Sequence, residues 1–388
     1  MRKIAVFTGT RAEYGLMYWI IKALHEDNDV ELQLIVGGMH LSREFGHTID
    51  NIVNDGFPIT EKIEMLVSDT PVGIAKAMGL GTISAAESFA RLEPDVLVLL
   101  GDRFEALAVA QAAMCARIPI AHIHGGEITE GLIDEAVRHS LTKMSHLHFT
   151  ATEPYRQRVI QLGEKPQSVF NFGAPGIDSI VKLSLAERQK LDEQLKFDLE
   201  GAPYFLVTYH PVTLEADGAV EAMQNMLSAL DDYPDHKLLM TYPNADTNGH
   251  LLIELLEEYK KGAADRVLLS RSLGQFRYLS AMKHCAAVIG NSSSGLIEVP
   301  TFNKPTVNIG NRQGGRLAGE TVICCGESYE DIKAAIAEAL SESFTQKCQQ
   351  AKNPYGEGNA SQQIVDVLKT HELDNIVVKS FYDIETDA

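Results

Sequence analysis

Short runs of valine, isoleucine and leucine recur along this chain, each closed by a glycine, histidine or proline turn and each followed by an amphipathic stretch. VLVLLGDR (96–103) and AAVIG (286–290) are apolar on both faces instead of alternating. Such runs predict strands covered on both sides, which is the condition of a parallel sheet packed between helices. Strands are expected at 4–8, 32–38, 96–100, 119–123 and 147–151, with helices over 15–25, 74–91, 104–116 and 134–144. The rhythm restarts at YFLVTYHP (204–211), where Pro211 stops the strand. It continues through 237–242, 266–269, 286–290 and 305–309, and a last helix is expected near 361–369.

A chain of 388 residues with 45% hydrophobic content can fill two cores. The predicted division is an N-terminal domain over 1–175, leaving through NFGAPGID (171–178), and a second domain over 176–365. A tail over 366–388 is expected to pack on the first. Both domains are read as doubly wound α/β folds. The net charge of −19 argues against general nucleic-acid binding, which needs a basic surface. MRKIAVF (1–7) runs straight into strand-like sequence, so no secretory leader is expected. No apolar run reaches the ~20 residues that span a bilayer, so no membrane partner is expected either. Five cysteines without metal-type spacing suggest reduced thiols in a cytoplasmic protein. Asn291, Ser292 and Ser293 match a glycosylation acceptor only formally on that reading.

The chemistry-bearing residues fall at the expected strand ends. IGNSSSGLIEV (289–299) passes from a strand through a small-residue turn into helical sequence. Its glycines and serines allow close backbone approach to a phosphate, and Glu298, four residues after Ser294, shares its helical face. A glutamate beside a phosphate site suits sugar hydroxyls. GTRAEYG (9–15) lacks the full dinucleotide-binding glycine pattern, and no GxxxxGK[ST] loop exists, which lowers the case for redox or ATP chemistry. Arg11 is read either as a diphosphate ligand or as a surface residue opening a helix. Asp102, at the end of the VLVLL run, is either an acid–base group or the N-cap of the next helix.

AHIHGGE (121–127) and DEAVRH (134–139) form a denser group. Continued strand alternation would put His122 and His124 on one face. Glu127, Asp134 and Glu135 could divide acid and base work through unequal environments, although acids at a helix start also answer the helix dipole. His122, His124 and Glu127 could ligate a metal, but the two glycines favour backbone approach and no zinc motif is present, so no metal is expected. His210, in HPVT (210–213), follows a strand and is either an acid–base group or a structural histidine. Arg312 and Arg316 in NIGNRQGGR (308–316) are phosphate or interdomain ligands. YPNAD (242–246) carries little beyond a turn.

Taken in order, GDR (101–103), HGGE (124–127), DEAVRH (134–139), HPVT (210–213) and SSSGLIE (292–298) resemble the hydrolysing branch of the UDP-N-acetylglucosamine 2-epimerase family over essentially the whole chain. The resemblance implies two Rossmann-like domains in a GT-B-like arrangement. It implies phosphate contacts from Arg11 and Ser292, Ser293, Ser294 and Gly295, supported by Arg312 or Arg316, with Glu298 on the uridine ribose. Asp102, Glu127 and Asp134 become the catalytic carboxylates, with Glu135 a substitute for Asp134 and His210 their partner. It implies a UDP-sugar as the substrate partner and a homodimer or homotetramer; no metal or other cofactor is expected. The implied reaction removes the sugar C2 proton, expels UDP and adds water. HPVT stands where non-hydrolysing relatives carry a His-Arg-Glu-Asn-type segment, which favours hydrolysis. UDP-N-acetylglucosamine, giving N-acetylmannosamine, is the preferred substrate. UDP-2,4-diacetamido-2,4,6-trideoxyglucose, on the legionaminic-acid route, is the alternative. A glycosyltransferase could share the fold and the nucleotide pocket but would need an acceptor site and transfer the sugar intact, and a non-catalytic UDP-sugar sensor would not need Asp102, Glu127, Asp134 and His210 together.

Overall fold

A computed structural model describes residues 1–42, 47–65, 70–129, 133–199, 201–211, 216–243, 249–271 and 273–384. The chain divides into two compact units, Met1–Val181 with Tyr355–Ala388, and Lys182–Pro354.

Among the described residues, the first unit holds strands β1 (Arg2–Thr8), β2 (Val30–Gly37), β3 (Glu61–Ile63), β4 (Val96–Leu100), β5 (Ile120–Ile123), β6 (Leu147–Thr150) and β7 (Val169–Asn171). They form one parallel sheet in the order β3-β2-β1-β4-β5-β6-β7. The apolar runs lie where both faces are covered: all five residues of β4 are buried. The helix Arg11–Glu26 begins with a capping box, in which Thr10 accepts from the Glu13 N–H and Glu13 reaches back to the Thr10 N–H. Its Tyr14, Met17, Ile20, Ile21 and Leu24 recur at helical spacing and are buried, each worth roughly 1.5–3 kcal/mol of apolar transfer.

The second unit holds β8 (Tyr204–Thr208), β9 (Lys237–Thr241), β10 (Val267–Ser270), β11 (Ala287–Gly290), β12 (Thr306–Ile309) and β13 (Val322–Cys325), parallel in the order β10-β9-β8-β11-β12-β13. Both units are therefore Rossmann-like. The return to the first unit comes at Tyr355, ahead of the expected boundary at 365. Ile364, Val365 and Leu368 of the helix Ala360–Thr370 belong to the first core. Asp178 caps that helix by accepting from the Ala360 and Ser361 N–H groups, and the Arg2 guanidinium donates to its last carbonyls, Leu368 O and His371 O. Among the described residues no helix is long and apolar enough to cross a membrane.

In each sheet the order reverses beside the first strand of the unit, between β1 and β4 and between β8 and β11. Loops at the carboxyl ends of such neighbouring strands diverge and leave a crevice for ligands. GTR (9–11) and GDR (101–103) flank the first reversal; His210 and NSSS (291–294) flank the second.

Candidate active site

In the first unit the organising group is Arg138, on the helix Ile133–Met144, with only 1% of its surface exposed. Its Nε donates to Asp102 Oδ2 at 3.1 Å, and a second donor, Nη2, reaches the same oxygen. Nη1 donates to Glu135 Oε2 at 2.7 Å and to the Glu127 carbonyl at 2.9 Å, while Nη2 also reaches Thr129 Oγ1 at 2.6 Å. One planar fork thus ties β4, the turn after β5 and its own helix together. Asp102 is not an N-cap. The capping position of the helix Phe104–Ala116 is Arg103, and no side chain bonds there.

The carboxylates differ in environment. Burial and the nearby charge of Asp102 push the Asp134 carboxyl above its usual range, with Arg103 and Arg138 opposing. Burial would also raise Glu135, but the Thr129 N–H, His139 and Arg138 outweigh it and hold the group low. His124 Nδ1 stands 2.5 Å from Glu127 Oε1. The expected pairing of His122 with His124 on one strand face does not occur. β5 ends at Ile123 and His124 turns to φ 67°. His122 instead bonds the Gly101 carbonyl at 2.7 Å and is buried, and burial pushes its pKa down to about 3. Gly126 is required by the turn: at φ 81° a Cβ would stand 2.3 Å from the Tyr155 carbonyl oxygen.

At the first reversal, Arg11 is the exposed first residue of its helix. Behind it Glu13 accepts from the Gly9 and Thr10 N–H groups, and burial pushes its carboxyl up to about 7. Arg103 pairs through both Nε and Nη2 with the buried Glu105, at 3.0 and 2.9 Å.

In the second unit the organising residue is Asn291, fully buried. Its Oδ1 accepts from the His210 N–H at 2.7 Å and its Nδ2 donates to the His210 carbonyl at 2.8 Å. Its own carbonyl receives Arg312 Nη1 at 3.1 Å and Gln313 Nε2 at 2.8 Å. The loops after β8, β11 and β12 are thereby fixed to each other. Gly290 makes the approach feasible: at φ 136° a Cβ would lie 1.9 Å from the Thr208 carbonyl oxygen. Tyr278 Oη and Ser292 Oγ each lie 2.9 Å from Ser294 Oγ.

The helix opened by this turn is shorter than the sequence suggests. Ser294–Ile297 is followed at once by a 3-10 turn, Val299–Phe302, because Pro300 cannot continue the helix. Glu298 still donates its N–H to the Ser294 carbonyl at 2.9 Å, so the spacing of the two residues is helical. Burial, with no opposing cation contribution, pushes the Glu298 carboxyl up to about 7. Gly295 has a packing reason as well, since a Cβ would sit 2.7 Å from Thr306 Cγ2, and its N–H goes to the Ser292 carbonyl. His210 is buried and, with Arg312 near, has its pKa pushed down to about 4, so its ring is neutral at neutral pH. Arg316 is half-buried, and its N–H closes a turn on the Gln313 carbonyl at 3.1 Å.

A family model described as UDP-N-acetylglucosamine 2-epimerase matches residues 22–369. The chain belongs to that family. Among its relatives is a Campylobacter jejuni protein named GDP/UDP-N,N'-diacetylbacillosamine 2-epimerase (hydrolyzing), 39% identical over 385 residues and covering 99% of each chain. A Legionella pneumophila protein named UDP-N,N'-diacetylbacillosamine 2-epimerase (hydrolyzing) is 37% identical over 374 residues, 96% of this chain and 97% of its own. The fold is that of the Neisseria meningitidis UDP-GlcNAc 2-epimerase solved with bound UDP-GlcNAc, with a TM-score of 0.82 at 20% identity over 95% of this chain and 99% of that one.

Within this family member, Asp102, Glu127, Asp134 and Glu135 gather around Arg138 at one end of the first sheet. His210 and Arg312 gather around Asn291 at the corresponding end of the second, where Ser292, Ser293 and Ser294 follow it in the same turn and Glu298 stands one helical turn beyond Ser294. Sequence reasoning gave no organising role to Arg138, Asn291, Tyr278, Gln313 or the Glu13–Arg103–Glu105 group. Arg138 had a visible signal in its i,i+3 spacing from Glu135. Asn291 had none, because its partners are distant in sequence. Val212 and Thr213 of HPVT, and 244–246 of YPNAD, lie outside the described residues.

Proposed function

We propose that this chain is a hydrolysing UDP-sugar 2-epimerase whose substrate is UDP-2,4-diacetamido-2,4,6-trideoxyglucose, the UDP-N,N'-diacetylbacillosamine of the relatives' names. Its products are 2,4-diacetamido-2,4,6-trideoxymannose and UDP. The observation that carries this reading is likeness at 39% and 37% identity, over nearly the whole chain, to two hydrolysing enzymes named for that sugar. It reverses the preference for UDP-N-acetylglucosamine drawn from sequence.

The nucleotide falls to the second unit. Glu298 accepts hydrogen bonds from the ribose hydroxyls, while Ser292–Ser294 and Arg312, with Arg316 in support, take the diphosphate. His210, neutral and held by Asn291, donates to a phosphate oxygen as charge develops on the leaving group. The acid–base work falls to the first unit. Asp134, with its raised proton affinity, takes the C2 proton while the C1–O bond breaks and UDP leaves with the electron pair. Asp102, held by Arg138, lies close enough for its charge to raise the proton affinity of Asp134. The product of this step is a 2-acetamidoglucal. Water then adds its hydroxyl at C1, and Glu127 governs proton delivery to C2 on the opposite face, which inverts that centre. The net reaction is UDP-sugar plus water to the free 2-epimer plus UDP. A homodimer or homotetramer completes the proposal, to be checked by light scattering.

Parallel incubation with both nucleotides, followed by proton NMR of the sugars, tests the reading. Faster release of 2,4-diacetamido-2,4,6-trideoxymannose is expected. Preferential release of N-acetylmannosamine would return the first substrate, and an epimerised sugar still bound to UDP would refute hydrolysis.

A further inference from the structure

The turn after β5 holds one buried group that this mechanism leaves without a role. His124 adopts φ 67°, a left-handed setting that is unfavourable for a residue with a Cβ and persists only where its surroundings impose it. The surroundings are specific. The His124 N–H donates to the Phe149 carbonyl at 2.9 Å, the Gly126 carbonyl receives Arg158 Nη1, and the Glu127 carbonyl receives Arg138. The result swings the imidazole onto the Glu127 carboxylate at 2.5 Å, with only 11% and 7% of the two side chains exposed. The far ring nitrogen, Nε2, is buried without a hydrogen-bond partner among the described residues.

We propose that His124 is a positioning residue for Glu127: its Nδ1–H donates to Oε1 and fixes the carboxylate in the orientation that serves C2. The tautomer follows from the geometry, because a ring donating from Nδ1 leaves a lone pair on Nε2, which suits an atom with no acceptor beside it. The left-handed backbone is part of the device, since an extended His124 would continue β5 and carry its ring away from Glu127. This inference rests on the proposed reaction, in which Glu127 governs proton delivery.

Asparagine and glutamine separate the two ring nitrogens. Asparagine places an N–H donor where Nδ1 stands and tolerates a left-handed backbone well, whereas glutamine reaches toward the Nε2 position. H124Q is expected to lower kcat about 100-fold, the scale of a catalytic group misplaced by about 1 Å, with little change in KM. H124N is expected to recover most of that loss. On an E127Q background, H124Q should cost nothing further, since a residue acting only through Glu127 has no other route to the rate. H124N as impaired as H124Q, both variants as fast as wild type, or full additivity with E127Q would each overturn the assignment. UDP affinity and melting temperature check folding. If H124Q does not fold, H124N decides through its kcat–pH profile, which the proposal expects to match wild type and which a proton-relay role through Nε2 would alter. Wild type inert toward both nucleotides would contradict the reaction and His124's part in it together. Active wild type with an additive cycle contradicts only the latter.

Discussion

Arg138 and Asn291 have the same job in different sheets: each satisfies several loop groups at once from a buried position. Replacing Arg138 with methionine leaves the partly solvated Asp102 and Glu135 without their shared cation, a loss of about 1.5–3 kcal/mol. We expect R138M to show that loss in chemical denaturation and to have no measurable turnover. Asn291→Ala removes both side-chain bonds to the His210 backbone, at a cost of roughly 1–3 kcal/mol. UDP titration by calorimetry should show weakened binding in the same variant. Glu298 carries a pH signature. Its folded pKa near 7 lies above an unfolded value near 4.5, so the folded state binds the extra proton. Its stabilising contribution is complete below about pH 4.5 and is lost as pH rises through 7. The melting temperature of E298Q, relative to wild type without ligand, is therefore expected to climb between pH 5 and pH 8. A difference independent of pH would contradict the burial of that carboxyl.

Among the elements, the C-terminal segment beyond the helix Ala360–Thr370 acts as a strap on the first unit. Lys379 Nζ donates to the Lys143 and Ser145 carbonyls at 2.9 and 2.6 Å, at the end of the helix that carries Arg138, and it pairs with the buried Glu164. Glu164 also binds Lys143 and His148. Burial would raise its pKa, but these partners hold it down at about 2. Lys379→Met should lower stability by about 1 kcal/mol, the net worth of the hydrogen bonds it removes, read from denaturant unfolding of the full chain. Interior strands such as β4 and β11 were legible because both faces are apolar. The edges β3 and β13 were not, since most of their residues are only partly buried: β3 is the short and mostly charged EKI, and β13 is the four-residue VICC with no fully buried position. Motif residues at strand ends could likewise be read from sequence, because a strand–turn–helix pattern locates them. The residues that bind those ends together could not, since Asp102–Arg138 and His210–Asn291 are contacts between distant positions. His124 shows the same limit. Strand alternation paired it with His122, and only the backbone reversal after Ile123 reveals Glu127 as its partner.

At the scale of the molecule, the chain repeats one solution twice: a parallel sheet whose order reverses beside its first strand, with polar loops gathered at that reversal. One unit collects carboxylates around an arginine, the other serines, arginines and a glutamate around an asparagine. The division of labour proposed from this is proton transfer in the first and nucleotide capture in the second. It predicts that UDP alone raises the melting temperature, and that E298Q reduces this shift while D134N leaves it intact. The central claim is that UDP departs by elimination across C1 and C2 and not by simple displacement at C1. Running the reaction in deuterium oxide and reading the released sugar by NMR tests it most directly. The account predicts one deuterium at C2 with the mannose-type configuration; release of UDP with the original hydrogen and configuration retained at C2 would contradict it.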